Sequence, residues 1–225
     1  MAQFGGFPKE TGEFLAGVSG NNEKSWFEAN RPLYEQGYVA AGRAFVEAIG
    51  PELRKISPGV GFEPKIGASM MRVNRDIRFT KDKRPYKERA ALSFGGRGPS
   101  AVGGQYIQIA ADGLFIGVGS YMMQPEHLAF YRRAVADDLH GTRLEEIVAD
   151  LLAAGYTIEG ETLTRTPRPY EKDHPRAELL KRKGIFAATF WPQDEWMYQE
   201  TALERVAATF AGAEPLATWL RARLT

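Results

Sequence analysis

Apolar residues recur at three- and four-residue spacing from Trp26 to Ile49, through Phe27, Leu33, Tyr34, Tyr38, Ala41 and Phe45. That spacing keeps one face of a helix apolar. Pro32 cannot sit in the middle of such a helix, so a break is expected near Asn30 and Arg31, with Pro32 in the first turn of the longer piece. A short helix is expected over 11–18 with Thr11 as its cap, and Asn21 or Asn22 can cap the next. Gly50-Pro51 and Ser57-Pro58-Gly59 read as turns.

The period then changes from helical to alternating. In the 71–79 stretch, Met71, Val73, Ile77 and Phe79 fall on one face of a strand, and Arg72, Asn74, Asp76 and Arg78 on the other. Arg75 lands in the apolar row, so it is expected to be largely buried and paired with Asp76 or Asp82, or re-aimed by a bulge. A charged connection containing Pro85 leads into a second strand from Arg89, with Ala90, Leu92 and Phe94 on one side. Gly95 to Gly104 is a glycine-rich connection without the spacing of a phosphate-cradling loop. Strands over 105–111 and 114–120 flank Asp112-Gly113, a strong hairpin signal, with positive φ expected at Gly113.

Helices are expected from Pro125 to Val135, from Leu144 to Leu152 and from Arg176 to Lys183. A small hairpin is expected around Gly160, a strand over 185–191, a helix capped by Asp194 through Phe210, and a last helix opened by Pro215. Strands concentrated in the middle with helices around them, and no regular alternation, indicate an α+β fold with a mainly antiparallel sheet in a single domain over 1–225.

Charge singles out one stretch. Residues 72–89 carry eight basic and three acidic side chains, a net of +5, and residues 165–183 carry seven and three, a net of +4. The whole chain is only +1, so the remainder is −8. Two basic segments in a near-neutral protein favour a local anion site over general polyanion binding. Arginine forks onto phosphate or carboxylate and lysine adds point charge. Arg72, Arg75, Arg78, Lys83 and Lys87 are the candidate anion ligands, with Asp76 and Asp82 orienting them and Tyr86 packing on the ligand. Tyr170, Lys172 and Lys181 are expected to complete one cleft with them, whose missing counter-charge is the ligand.

The string RVNRDIRFTKDKRPYK closely resembles the signature of a family of bacterial and fungal conserved hypothetical proteins, filed as a domain of unknown function. The family pattern looks like R-I-x-R-D-x-R-F-S-x-D-K-x-P-Y-K, with Val73 here for the isoleucine and Thr80 for the serine. Other matching stretches are NNEKSWFEANRPLYE, GLFIGVGSYMMQPEHLAFYR, DHPRAELLKRKGIF and EPLATWLRARL, so the resemblance covers nearly the whole chain. It implies a single-domain soluble protein without an assigned activity, and makes the charged motif the family's most distinctive feature.

Composition narrows the chemistry. The chain has no cysteine, which removes disulfides and thiolate metal sites and is compatible with the cytoplasm. No basic start followed by an apolar run marks a signal peptide, and no stretch is apolar and long enough for a bilayer. His127, His140 and His174 lack metal-ligand spacing, so no metal and no cofactor are expected. The residues assign no reaction. The leading reading is a site for a small phosphorylated or carboxylated molecule on residues 72–87. One alternative is nucleic-acid binding through both basic segments with Tyr86 and Tyr170 stacking. Another is an interaction module whose charged stretch is a structural salt-bridge network.

Overall fold

A computed structural model describes residues 4–96 and 101–224. It has an α+β architecture, with a five-stranded antiparallel sheet in the order β1-β2-β3-β5-β4. The strands are β1 (Arg89–Phe94), β2 (Gly104–Ala110), β3 (Gly113–Ser120), β4 (Thr157–Glu159) and β5 (Ile185–Pro192). The chain forms two compact units. One is built from Met1–Phe94, Tyr106–Ile116 and Phe190–Thr209, the other from Gly95–Gln105, Gly117–Thr189 and Phe210–Thr225.

In the first unit, α1 (Lys9–Gly20) buries Thr11, Phe14, Leu15 and Val18, the single stripe that helical spacing allows. Thr11 is not its cap. Pro8 holds that position, and the Thr11 hydroxyl donates at 2.6 Å to the Gly37 carbonyl. The break at Asn30 is present between α2 (Lys24–Ala29) and α3 (Arg31–Tyr34), with Pro32 in the first turn of α3. A π-helical stretch, Glu35–Ala40, then leads into α4 (Ala41–Ile56). Gly37 lies where α1 crosses, and a Cβ there would come within 2.4 Å of the Glu10 carbonyl oxygen. Gly50 and Pro51 do not end the helix. Both lie inside α4, because its buried row of Phe45, Ile49 and Leu53 runs straight past them while Pro51 faces solvent. Phe4, Phe7 and Phe45 pack ring against ring, with centroids 5.1–5.2 Å apart.

The expected strand over 71–79 is not regular. Isolated bridges join Met70 to Leu92 and Asn74 to Tyr86, and the Met71 and Lys87 amides donate to the Ala91 and Val73 carbonyls. The segment thus runs antiparallel beside β1, an edge strand, and covers its free side with sparse bonds instead of a full ladder. Phe79, assigned to the apolar face, is 93% exposed, because the chain has left the sheet before reaching it.

The hairpin between β2 and β3 is present, shifted by one residue. Ala111 and Asp112 form the turn and Gly113 opens β3 with φ of +152°. A Cβ at Gly113 would lie 2.2 Å from the Trp191 carbonyl oxygen. The glycine-rich connection falls partly outside the described residues, at 97–100.

In the second unit, α5 (Pro125–Ala136) and α6 (Asp138–Ala153) meet at Asp137, whose side chain accepts from the His140 amide at 2.9 Å. α6 therefore starts earlier than its apolar spacing alone suggests. The hairpin expected around Gly160 is absent: β4 pairs with β5, Ile158 opposite Ala187. The helix expected over 176–183 shrinks to α7 (Ala177–Leu180). Asp194 caps only a 3-10 turn, Glu195–Tyr198, and α8 (Thr201–Leu224) then runs through Pro215 without stopping. Pro215 is exposed beside a continuous buried stripe that includes Ala213, Leu216 and Leu220.

Two glycines separate backbone strain from crowding. Gly59 has φ of +87° with open space around its missing Cβ, whereas Gly113 combines positive φ with a backbone clash. Gly59→Ala is expected to destabilise the protein by about 1 kcal/mol. Gly113→Ala is expected to exceed that clearly in urea denaturation. Equal losses would show that the strand moves aside.

Candidate functional site

The charged motif forms a long irregular hairpin, with residues 69–75 along one arm, 85–93 along the other, and 76–84 as its loop. Its base and middle are fastened by two side chains of the same unit, Tyr38 of the π-helical stretch and Asn22 of the connection between α1 and α2. The Tyr38 hydroxyl donates to the Met71 carbonyl and reaches the Ala91 carbonyl at 3.3 Å, so it touches both arms. Asn22 accepts from the Tyr86 amide at 2.9 Å and donates to the Tyr86 carbonyl at 3.0 Å. The expected cap role of Asn22 is taken by Glu23 at the start of α2. Tyr86 itself is buried and stacks on Phe27, centroids 4.4 Å apart and planes 14° apart. Burial raises the Tyr86 phenol above its ordinary pKa. Its ring belongs to the core and leaves no face for a ligand.

Within the loop, acids and arginines pair locally. Arg78 binds Asp76 through two nitrogens, at 2.9 and 2.7 Å. Asp82 accepts from the Arg84 guanidinium at 2.8–3.1 Å, from the Arg84 amide at 3.1 Å and from Arg75 Nη1 at 2.7 Å. Arg84 also pairs with Glu88. These bonds hold both carboxyls below the usual carboxylate range, Asp82 mainly through the Arg84 side chain and Asp76 mainly through Arg78. Arg75 retains 25% side-chain exposure and Asp82 36%, so the pair is partly solvated and weaker than a fully buried one. Lys83 Nζ donates to the Ile77 carbonyl at 3.0 Å, and Lys87 Nζ to the Arg72 carbonyl at 2.9 Å. Arg72, Lys81, Lys83 and Arg89 are exposed and have no carboxylate partner among the described residues.

The second basic segment belongs to the other unit. Lys181 pairs with Glu178 at 2.5 Å, and Lys183 with Glu161. Tyr170 meets His174 edge-on at 6.5 Å, and Lys172 is exposed. Arg176, unremarked among the sequence candidates, is the buried cation of this unit. It donates to the Val135 and Ala136 carbonyls at 2.7 and 3.3 Å and to Asp138 at 2.8 Å, joining the end of α5 to the start of α6. The nearby cations Arg132 and Arg182 likewise donate to main-chain carbonyls, of Leu180 and of Glu159. Glu178, Glu161 and Asp138 thus neutralise Lys181, Lys183 and Arg176 locally, while the carbonyl contacts orient their cations without cancelling charge.

Other chemistry is sparse. No group of three or more histidine or acidic side chains among the described residues could hold a metal ion. No helix among them is long and apolar enough to cross a membrane. A small apolar crevice in the first unit is lined by Phe7, Tyr38, Leu92 and Ile109, and none of the charged candidates reaches it.

The model of conserved hypothetical proteins (DUF2461) matches residues 10–219, and the hairpin lies wholly inside that span. The chain belongs to the DUF2461 family. No curated protein matches it in sequence. The family description names no activity.

Two measurements check the geometry. Asn22→Ala removes both bonds to the Tyr86 backbone and is expected to destabilise by about 1–3 kcal/mol in chemical denaturation. A wild-type midpoint would show the clamp to be idle. The second concerns Asp82. A carboxyl depressed in the folded state stabilises it above the unfolded pKa of about 4 and loses that contribution as pH falls. The Asp82 carboxyl carbon should therefore titrate below that of a model peptide in NMR, and Arg84→Gln should move its midpoint upward.

Proposed function

We propose that the hairpin of residues 69–93 is a binding surface for a multiply charged anion carrying phosphate or carboxylate groups. The observation that supports it is the uneven outcome of pairing within the loop. Asp76, Asp82 and Glu88 are each engaged by arginine, while Arg72, Lys81, Lys83 and Arg89 are exposed and form no direct ion pair with a carboxylate among the described residues. Arg75, Arg78 and Arg84 act as buttresses that shape the loop, and the unpaired cations supply the contacts.

A salt-bridge network of purely structural purpose accounts for the buttresses. It does not account for four further cations placed on the same hairpin, where they repel one another. Exposure also bears on the kind of anion. A single small anion would meet charges screened by water and salt, with a Debye length of about 8 Å at physiological ionic strength. A ligand with several linked charges engages more of the cations at once and releases their counter-ions. This departs from a small-molecule pocket and keeps the anion. Tyr86 has no part in contacting the ligand, because its ring is stacked on Phe27.

Thermal melting with sodium tripolyphosphate, against sodium chloride at matched ionic strength, tests the proposal. The expected result is a rise of several degrees that shrinks as chloride is added. The double substitution Lys81→Glu and Lys83→Glu should abolish the rise. A tripolyphosphate effect no larger than that of sodium chloride ends the proposal.

A further inference from the structure

We propose that Phe79 is a stacking platform for the bases of a single-stranded nucleic acid whose phosphates lie on the surrounding cations. This rests on the anion-binding proposal and names its ligand class. Phe79 is 93% exposed, the most exposed large apolar side chain described. It sits at the apex of a loop pinned on both sides. Ahead of it, the Arg78 amide and guanidinium bind Asp76. Behind it, the Asp82 amide donates to the Thr80 hydroxyl at 3.3 Å, and Lys83 closes the loop onto the Ile77 carbonyl. The Arg78 guanidinium carbon lies 5.5 Å from the ring centroid. The ring is thus held out in water beside a fixed cation, with Lys81 exposed two positions later.

Charge complementarity selects the partner. The loop and its arms carry excess positive charge, so the partner is anionic, and a flat apolar ring among those charges suits a partner that has flat faces between its phosphates. Single strands meet both needs because their bases are free to stack, whereas a duplex offers phosphates and hides its base faces. An anionic membrane is the poorer match. One ring next to Arg78, Thr80, Lys81 and Asp82 gives little apolar surface to insert. Tyr86 cannot serve as the stacking aromatic, since burial and Phe27 already occupy it.

Fluorescence anisotropy with labelled fifteen-nucleotide oligo(dT) and oligo(U), beside a labelled duplex of equal length, tests this on the full chain. Vesicles containing phosphatidylserine and tripolyphosphate complete the set of probes. The wild type should prefer either single strand to the duplex. Phe79→Ala should weaken single-strand binding by about tenfold, as loss of one stacked base predicts, while leaving the tripolyphosphate melting shift unchanged. Phe79→Leu, which keeps apolar bulk without a flat ring, should behave like the alanine variant, and Phe79→Trp should retain binding. If tripolyphosphate binds and the oligonucleotides do not, the nucleic-acid inference falls and the anion proposal stands. If no anion binds, both fall. Wild-type affinity of either Phe79→Ala or Phe79→Leu for single strands overturns the stacking role, as does Phe79-dependent binding to the vesicles in place of the oligonucleotides.

Discussion

A residue whose N–H and C=O face away from its strand partner must find their hydrogen bonds elsewhere, and at Tyr86 both come from one side chain. The Asn22 amide accepts from the Tyr86 N–H and donates to its carbonyl, as a neighbouring strand would. This lets the hairpin hold its register through a stretch where only isolated bridges connect its arms. The Tyr86–Phe27 stack adds apolar contact at the same point, and the Tyr38 hydroxyl closes the base. Without these anchors, the loop's ion pairs would be exposed salt bridges of small individual worth. With them, the arms are fixed first and the ion pairs only have to shape a short remaining loop.

The loop illustrates how charge can be both satisfied and left over. Asp82 collects donors from two arginines and one amide, which leaves those arginines less able to serve a ligand. Lysines in the same loop bind main-chain carbonyls or face water. A carbonyl contact orients a lysine without cancelling its charge. The division between arginine as internal fork and lysine as outward charge follows from their shapes, a planar guanidinium against a flexible ammonium.

Much of the helical framework is legible in the sequence because its helices bury one stripe each. The row through Phe45, Ile49 and Leu53 predicts α4, and the Asp-Gly pair predicts the β2–β3 hairpin to within one residue. Pro51 and Pro215 mislead, since an exposed proline loses one bond while the stripe beside it stays buried, and tertiary packing outweighs the local preference. The alternation from Met71 to Phe79 misleads for another reason. Periodicity assumes that a strand continues, but here the bonding between the arms ends where the Arg75 amide donates to the Pro85 carbonyl, and Phe79 lies exposed in the loop beyond it. The candidate site was legible as a concentration of charge. Its internal pairing, the core role of Tyr86 and the Asn22 clamp were not, because Asn22 and Tyr86 are 64 positions apart and no local pattern links them.

Each compact unit is assembled from three separate stretches of chain, and the first takes its last stretch from Phe190–Thr209. A ribosome therefore releases most of the polypeptide before either unit possesses all its parts. The hairpin and its helical wall, all encoded before Phe94, emerge early, while the last stretch of the same unit begins at Phe190, nearly a hundred positions downstream. Neither unit is one continuous stretch of chain, so no single cut of the polypeptide separates one whole unit from the other.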